Sequence, residues 1–193
     1  MVLRSSVVAV KLIDAASTEF ERAVRELPED SWALRTPCDM TVRALVEHVV
    51  VGNRFTTLLL QGVSRDAARA RLDADQLGTD PVSAVVDSSR DQAGAFAAAL
   101  PGQLVPYRTG DVTVDTFLRF RLVDLVVHAW DLRRGAGLDE ALNPELVEAL
   151  LAVVGPHLEE MISYGAYGDG PSGTLPGDAS AQHRLLDEFG RRP

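Results

Sequence analysis

Residues 114–134 read VDTFLRFRLVDLVVHAWDLRR, and their pattern decides the fold. Leu118, Leu122, Leu125, Ala129 and Leu132 recur at intervals of three and four, the stripe of a core-facing helix. Phe120, Val123, Val126, Val127 and Trp130 cover much of the remaining circumference. A helix apolar on most of its sides is buried on most of its sides, so other helices must surround it. What remains is a narrow polar seam of Arg121, Asp124, His128 and Asp131, spaced three, four and three.

Working outward, helical periodicity covers nearly the whole chain. From Val7 to Leu27 the apolar residues include Leu12, Ala15, Ala16, Phe20, Ala23, Val24 and Leu27, with Glu19, Glu21, Arg22, Arg25 and Glu26 between them, and Pro28 stops the run. Thr41 is a good N-cap for a second helix, Val42 to Gln61, which Gly62 ends. A short helix fits Arg65 to Leu72. Asp80-Pro81 opens a third long helix that runs to Leu100, because proline suits the first helical position. Leu104 to Val112 reads as extended. After the helix at 114–134, Asn143-Pro144 opens another that ends near Tyr164, and a last short one spans Ala181 to Phe189. Between them, Tyr164 to Ser180 is a Gly/Pro-rich loop over the surface or over a site. Long helices joined by irregular connections predict an all-α helical bundle, with no flexible linker to split residues 1–193 into two domains.

Composition removes several function classes. Hydrophobic residues make up 46% of the 193, enough to close a core. Lys and Arg number 19 against 28 Asp and Glu, a net charge of −9, which argues against nucleic acid because phosphate binding needs a basic face. The single cysteine, Cys38, excludes an internal disulfide. No stretch approaches the ~18–20 apolar residues of a membrane span, and residues 1–16 lack a signal-peptide core. A cytoplasmic location without membrane attachment is the expectation.

The chemistry sits in the seam. Asp124 and His128 are one turn apart on one face, the spacing at which a carboxylate and an imidazole grip one metal ion; an ordinary solvated i,i+4 pair is the alternative. On the second helix Arg43, Glu47 and Arg54 define the wet face, and His48 stands away from its centre with Gly52 leaving space beside the imidazole. A core histidine is the competing reading there. Bundles build metal sites from inward side chains on facing helices, and two imidazoles plus one carboxylate leave zinc an open position for water or substrate. Nickel or iron suits the same donors. Asp131 either holds a ligand imidazole through its far nitrogen or pairs with Arg121 or Arg134. Cys38 is either a nucleophile or a small residue packing its connector. His157 and His183 read as surface residues, and Tyr164 and Tyr167 border the Gly-rich loop.

The runs TPCDMTVRALVEHVV (36–50) and LVDLVVHAWDLRRGAG (122–137) resemble the DinB-like superfamily, and more closely the actinobacterial branch that contains the mycothiol-dependent maleylpyruvate isomerase metal-binding domain. The ending DEFGRRP (187–193) is similar to the close of single-domain members. The resemblance implies a DinB-like four-helix bundle with extra short helices, holding a divalent metal through His48, Asp124 and His128. The isomerase pattern has glutamate where Asp124 stands, and the residues after Asn143 are too few to supply both a bundle helix and the isomerase's additional domain. It also implies mycothiol as the thiol partner and a small electrophilic molecule as substrate, attacked by a metal-activated thiol or water as in thiol-dependent isomerases and S-transferases. The alternative is a non-catalytic helical homodimer or small-molecule-binding module.

Overall fold

The computed structural model describes residues 6–164 and 170–193. Its elements in chain order are α1 (Ser6–Arg25), α2 (Val42–Leu60), α3 (Arg65–Arg71), α4 (Pro81–Ala98), β1 (Leu104–Tyr107), β2 (Gly110–Thr113), α5 (Val114–Gly135), α6 (Pro144–Val154), α7 (Leu158–Ser163) and α8 (Ala181–Glu188). The described residues fall into two compact units, 1–140 and 141–193.

The first unit is the expected all-α bundle. α1 packs against α4 and α5, and α2 packs against the same two helices, which closes a ring of four. The N-termini of α2, α4 and α5 are each fixed by a side chain that accepts from an otherwise unpaired backbone N–H. Thr41 caps α2 through Ala44, Asp80 caps α4 through Ser83, and Thr113 caps α5 through Thr116. On α5 every residue from Thr116 to Arg133 except Asp124 is buried, as the near-complete apolar circumference demands. The extended stretch is a small antiparallel hairpin, pairing Leu104 with Thr113 and Val105 with Val112. Val105 and Val112 are buried and seat it on the bundle.

Two details of the helical pattern differ. On α1 the inward residue is Ile13, fully buried, while Ala15 is exposed and Glu19 is buried against Arg22. A small alanine gains less by burial than an isoleucine, so the face rotates toward the larger side chain. The helix beginning at Pro144 is also broken. Gly155–His157 forms a 3-10 turn before α7, because Pro156 has no N–H to donate and its ring crowds the preceding turn.

The loop carrying Cys38 is a closed turn. Thr36 N–H donates to the Met40 carbonyl at 2.9 Å, and Val42 N–H donates to that of Leu34 at 2.9 Å. Asp39 takes a left-handed φ of 63° to complete it. The turn lies against the end of α5, where a Cβ on Gly135 would stand 2.9 Å from Thr36 Cγ2 and 3.0 Å from the Arg35 carbonyl. That close approach requires glycine.

In the second unit α6 packs on α8, with Leu146, Val147, Leu150, Leu185 and Leu186 buried. Asp187 accepts from Ser172 N–H and pairs with Arg192 at 3.2 Å. Residues 170–180 form turns without a regular element. Among the described residues no helix is long and apolar enough to cross a membrane.

Candidate metal centre

α5 brings three seam residues to one place, and α2 supplies a fourth group across the helix interface. Asp124 Oδ1 stands 3.3 Å from His128 Nε2 and 3.6 Å from His48 Nε2. The three donor atoms lie within 4.8 Å of one another. The two imidazoles meet edge to face with centroids 5.2 Å apart. Zinc bonds to nitrogen and oxygen are about 2.0–2.2 Å long, so tetrahedral donors are roughly 3.3–3.6 Å apart. The two distances to Asp124 fit that spacing and exceed those of good N–H···O hydrogen bonds.

The seam points inward rather than into solvent. His128 is 8% exposed and Asp131 is fully buried, which removes the solvated-pair reading. His48 has a side chain 47% exposed, so the competing reading of a core histidine falls away. Together with the 22% exposure of Asp124, this gives a site walled by helices on one side and open on the other.

Asp131 resolves to one of its two readings. Its Oδ2 is 2.9 Å from His128 Nδ1, so in the neutral ring a proton on Nδ1 leaves the Nε2 lone pair facing Asp124 and His48. Arg134 instead pairs with Glu140 and lies over the Trp130 ring. Cys38 is half-buried, its Sγ 3.2 Å from Thr36 Oγ1 and within 4.8 Å of donor atoms of His128 and Asp131. It therefore borders the site instead of simply packing the connector, and Cys38, His128 and Asp131 form a second close donor group. His157 faces Glu160 at 3.6 Å and His183 is exposed. Tyr167 lies outside the described residues.

The polar support of the site is the part that sequence reading missed. Arg121 Nη1 donates to Asp124 Oδ2 at 2.6 Å, its Nε to Gln92 Oε1 at 2.9 Å and its Nη2 to Asn53 Oδ1 at 2.7 Å. Asn53 Nδ2 in turn donates to Ser88 Oγ at 3.1 Å. Asn53 and Gln92 are fully buried, and a wholly buried amide on an otherwise amphipathic helix signals such a network. Gly52 gives its space to Arg121 and not to the imidazole: a Cβ there would stand 2.5 Å from Arg121 Nη1.

These contacts set the protonation states. Burial pushes the Asp124 carboxyl up, but the Arg121 guanidinium and then His128 more than offset it and hold the group well below the ordinary carboxylate range. Burial likewise pulls His128 down, and Asp124 first, then hydrogen bonds with Asp131 and Cys38, raise it well above 6.5. In the metal-free protein His128 therefore stabilises the fold fully below about 6.5, and that contribution is lost as pH rises through its raised folded value. Asp124 contributes above about 4 and loses its share only as pH falls through its lowered value. A cation held here would need His128 neutral, so affinity for it would run the other way and climb by up to ~10-fold per pH unit until that value is passed. Calorimetric titration at pH 6 and pH 8 in two buffers of different ionisation enthalpy checks this, through proton release and apparent affinity. Affinity independent of pH would contradict it.

The model of the mycothiol maleylpyruvate isomerase N-terminal domain family matches residues 13–133, a range that contains every residue of this site. Two uncharacterized proteins of Mycobacterium tuberculosis, from strains CDC 1551 / Oshkosh and ATCC 25618 / H37Rv, are each 30% identical over 151 residues, covering 73% of this chain and 76% of the relative. No solved structure matches the chain.

Proposed function

The chain belongs to the mycothiol maleylpyruvate isomerase N-terminal domain family, and from that premise we propose that it is a divalent-metal-dependent thiol isomerase or S-transferase. In this reading His48, Asp124 and His128 hold the ion, zinc first among candidates, with nickel and iron also suited to two nitrogens and one oxygen. The observation that carries it is the spacing of the two imidazole nitrogens from Asp124 Oδ1, 3.3 and 3.6 Å.

When bound, a divalent ion supplies a Lewis acid with an open position that makes a thiol such as mycothiol, or a water, easier to deprotonate. The chain's own residues do the rest. Asp131 fixes the His128 tautomer from behind, so that Nε2 presents a lone pair. Arg121 holds Asp124 in one orientation. His48, half exposed, leaves the mouth accessible to a small electrophilic substrate.

Metal content of protein purified without a His-tag or nickel column tests the proposal. We expect close to one equivalent of a divalent metal per chain. A ligand at ~100 times its Kd stabilises the native state by about 2.7 kcal/mol, and for a chain of this size that is a fall in Tm of roughly 5–10 °C on adding chelator. Metal-free protein with a Tm indifferent to chelator would instead favour the helical homodimer or small-molecule-binding module.

A further inference from the structure

We propose that Arg121 determines which ligands the centre accepts, by confining Asp124 to one donor oxygen and leaving the loaded site with a positive surplus that selects an anion. This rests on the metal reading above and extends it to the chemical class of the incoming ligand.

The geometry has two parts. Asp124 offers Oδ1 toward both imidazoles, while Oδ2 is held by Arg121 Nη1 at 2.6 Å. A carboxylate tied in this way cannot swing its second oxygen onto a cation, so one coordination position stays free for an exogenous group. Arg121 is itself immobile: it is 8% exposed, its other donors go to Gln92 and Asn53, and the missing Cβ of Gly52 is what admits it.

The charge follows from the same contacts. Gln92 and Asn53 are neutral amides, so Asp124 is the anion that faces the guanidinium in this cluster. Once Asp124 also neutralises a cation, Arg121 is left undercompensated in a buried setting, where charge is felt strongly. A dication together with Asp124, Asp131 and Arg121 carries one net positive charge, and without Arg121 it is neutral. An anionic ligand, such as a thiolate, azide or carboxylate, is favoured over a neutral one of similar size.

The test uses the cobalt(II)-loaded full chain, whose visible spectrum reports both donor number and ligand exchange. Azide is the anionic probe and imidazole the neutral one. In Arg121→Gln we expect cobalt to be retained, azide affinity to fall on the order of 10- to 100-fold, and imidazole affinity to fall by clearly less, because the released Oδ2 competes with both probes whereas the lost charge weakens azide alone. Asn53→Asp keeps the side-chain volume and places a carboxylate against the same guanidinium, so it should weaken azide in the same direction, and it decides the matter if Arg121→Gln does not fold. Unchanged azide binding in either cobalt-loaded variant overturns the assignment, as does an equal loss of azide and imidazole, which would mark a collapsed site. Wild-type protein that takes up no cobalt fails at the earlier step and removes the metal reading together with this one.

Discussion

His128→Ala protein is expected to leave purification without metal, against close to one equivalent in the wild type. Two of the three donors sit one turn apart on α5, and His128 is the one held rigidly, with Asp131 at 2.9 Å on its far nitrogen and 8% exposure. Removing a group that merely orients a ligand costs a metal site ~10–100-fold in affinity, and removing the ligand itself costs more. The remaining pair, His48 and Asp124, is partly exposed and offers only two donors. The variant also deletes a buried imidazole, so Asp131, fully buried, loses a partner, and stability falls by about 1–3 kcal/mol in addition. Elemental analysis after gel filtration measures the first effect and urea unfolding the second. Full occupancy in the variant would remove the site.

Gly52→Ala is expected to destabilise the protein by about 2–4 kcal/mol, although alanine in a helix interior ordinarily gains roughly 1 kcal/mol over glycine. The added Cβ would meet Arg121 Nη1 at 2.5 Å, Cζ at 3.0 Å and Nη2 at 3.1 Å. That guanidinium cannot step aside without giving up Gln92, Asn53 or Asp124, and hydrogen bonds to charged groups contribute ~1.5–3 kcal/mol each. Loss of the Asp124 contact also frees that side chain, so metal affinity drops together with stability. Urea unfolding with and without metal separates the two. A variant as stable as the wild type would show that the guanidinium has room the geometry denies it.

How much of this was legible in the sequence depended on whether a property is local. The burial of α5 followed from its apolar circumference alone, and the capping residues Thr41, Asp80 and Asn143 marked their helices correctly because a cap acts within one turn. The pair Asp124–His128 was legible for the same reason, since the helix repeat fixes its spacing. The convergence of His48 needed a packing angle that no periodicity supplies, and the family resemblance carried that step. Gly52 shows the limit most clearly. Its proximity to a polar group was readable, but whether imidazole or guanidinium filled the gap depended on α5, which lies 68 positions from Asn53 at the Arg121 contact. Asn53, Gln92 and Ser88 carry no such signal, because each, read singly, is an ordinary helix residue. The break at Pro156 is by contrast a local signal, its missing N–H, and belongs with the legible features.

The candidate ligand set is half welded and half hinged. Asp124 and His128 ride on consecutive turns of one hydrogen-bonded ladder, so no tilting of the bundle alters their separation. His48 reaches them from a different rod, and a slide of α2 by a single residue, about 1.5 Å, would lengthen its approach while leaving the other two undisturbed. Substitutions far from any polar group, in the apolar seam where α2 rests on α5, therefore act as a vernier on one donor of the three.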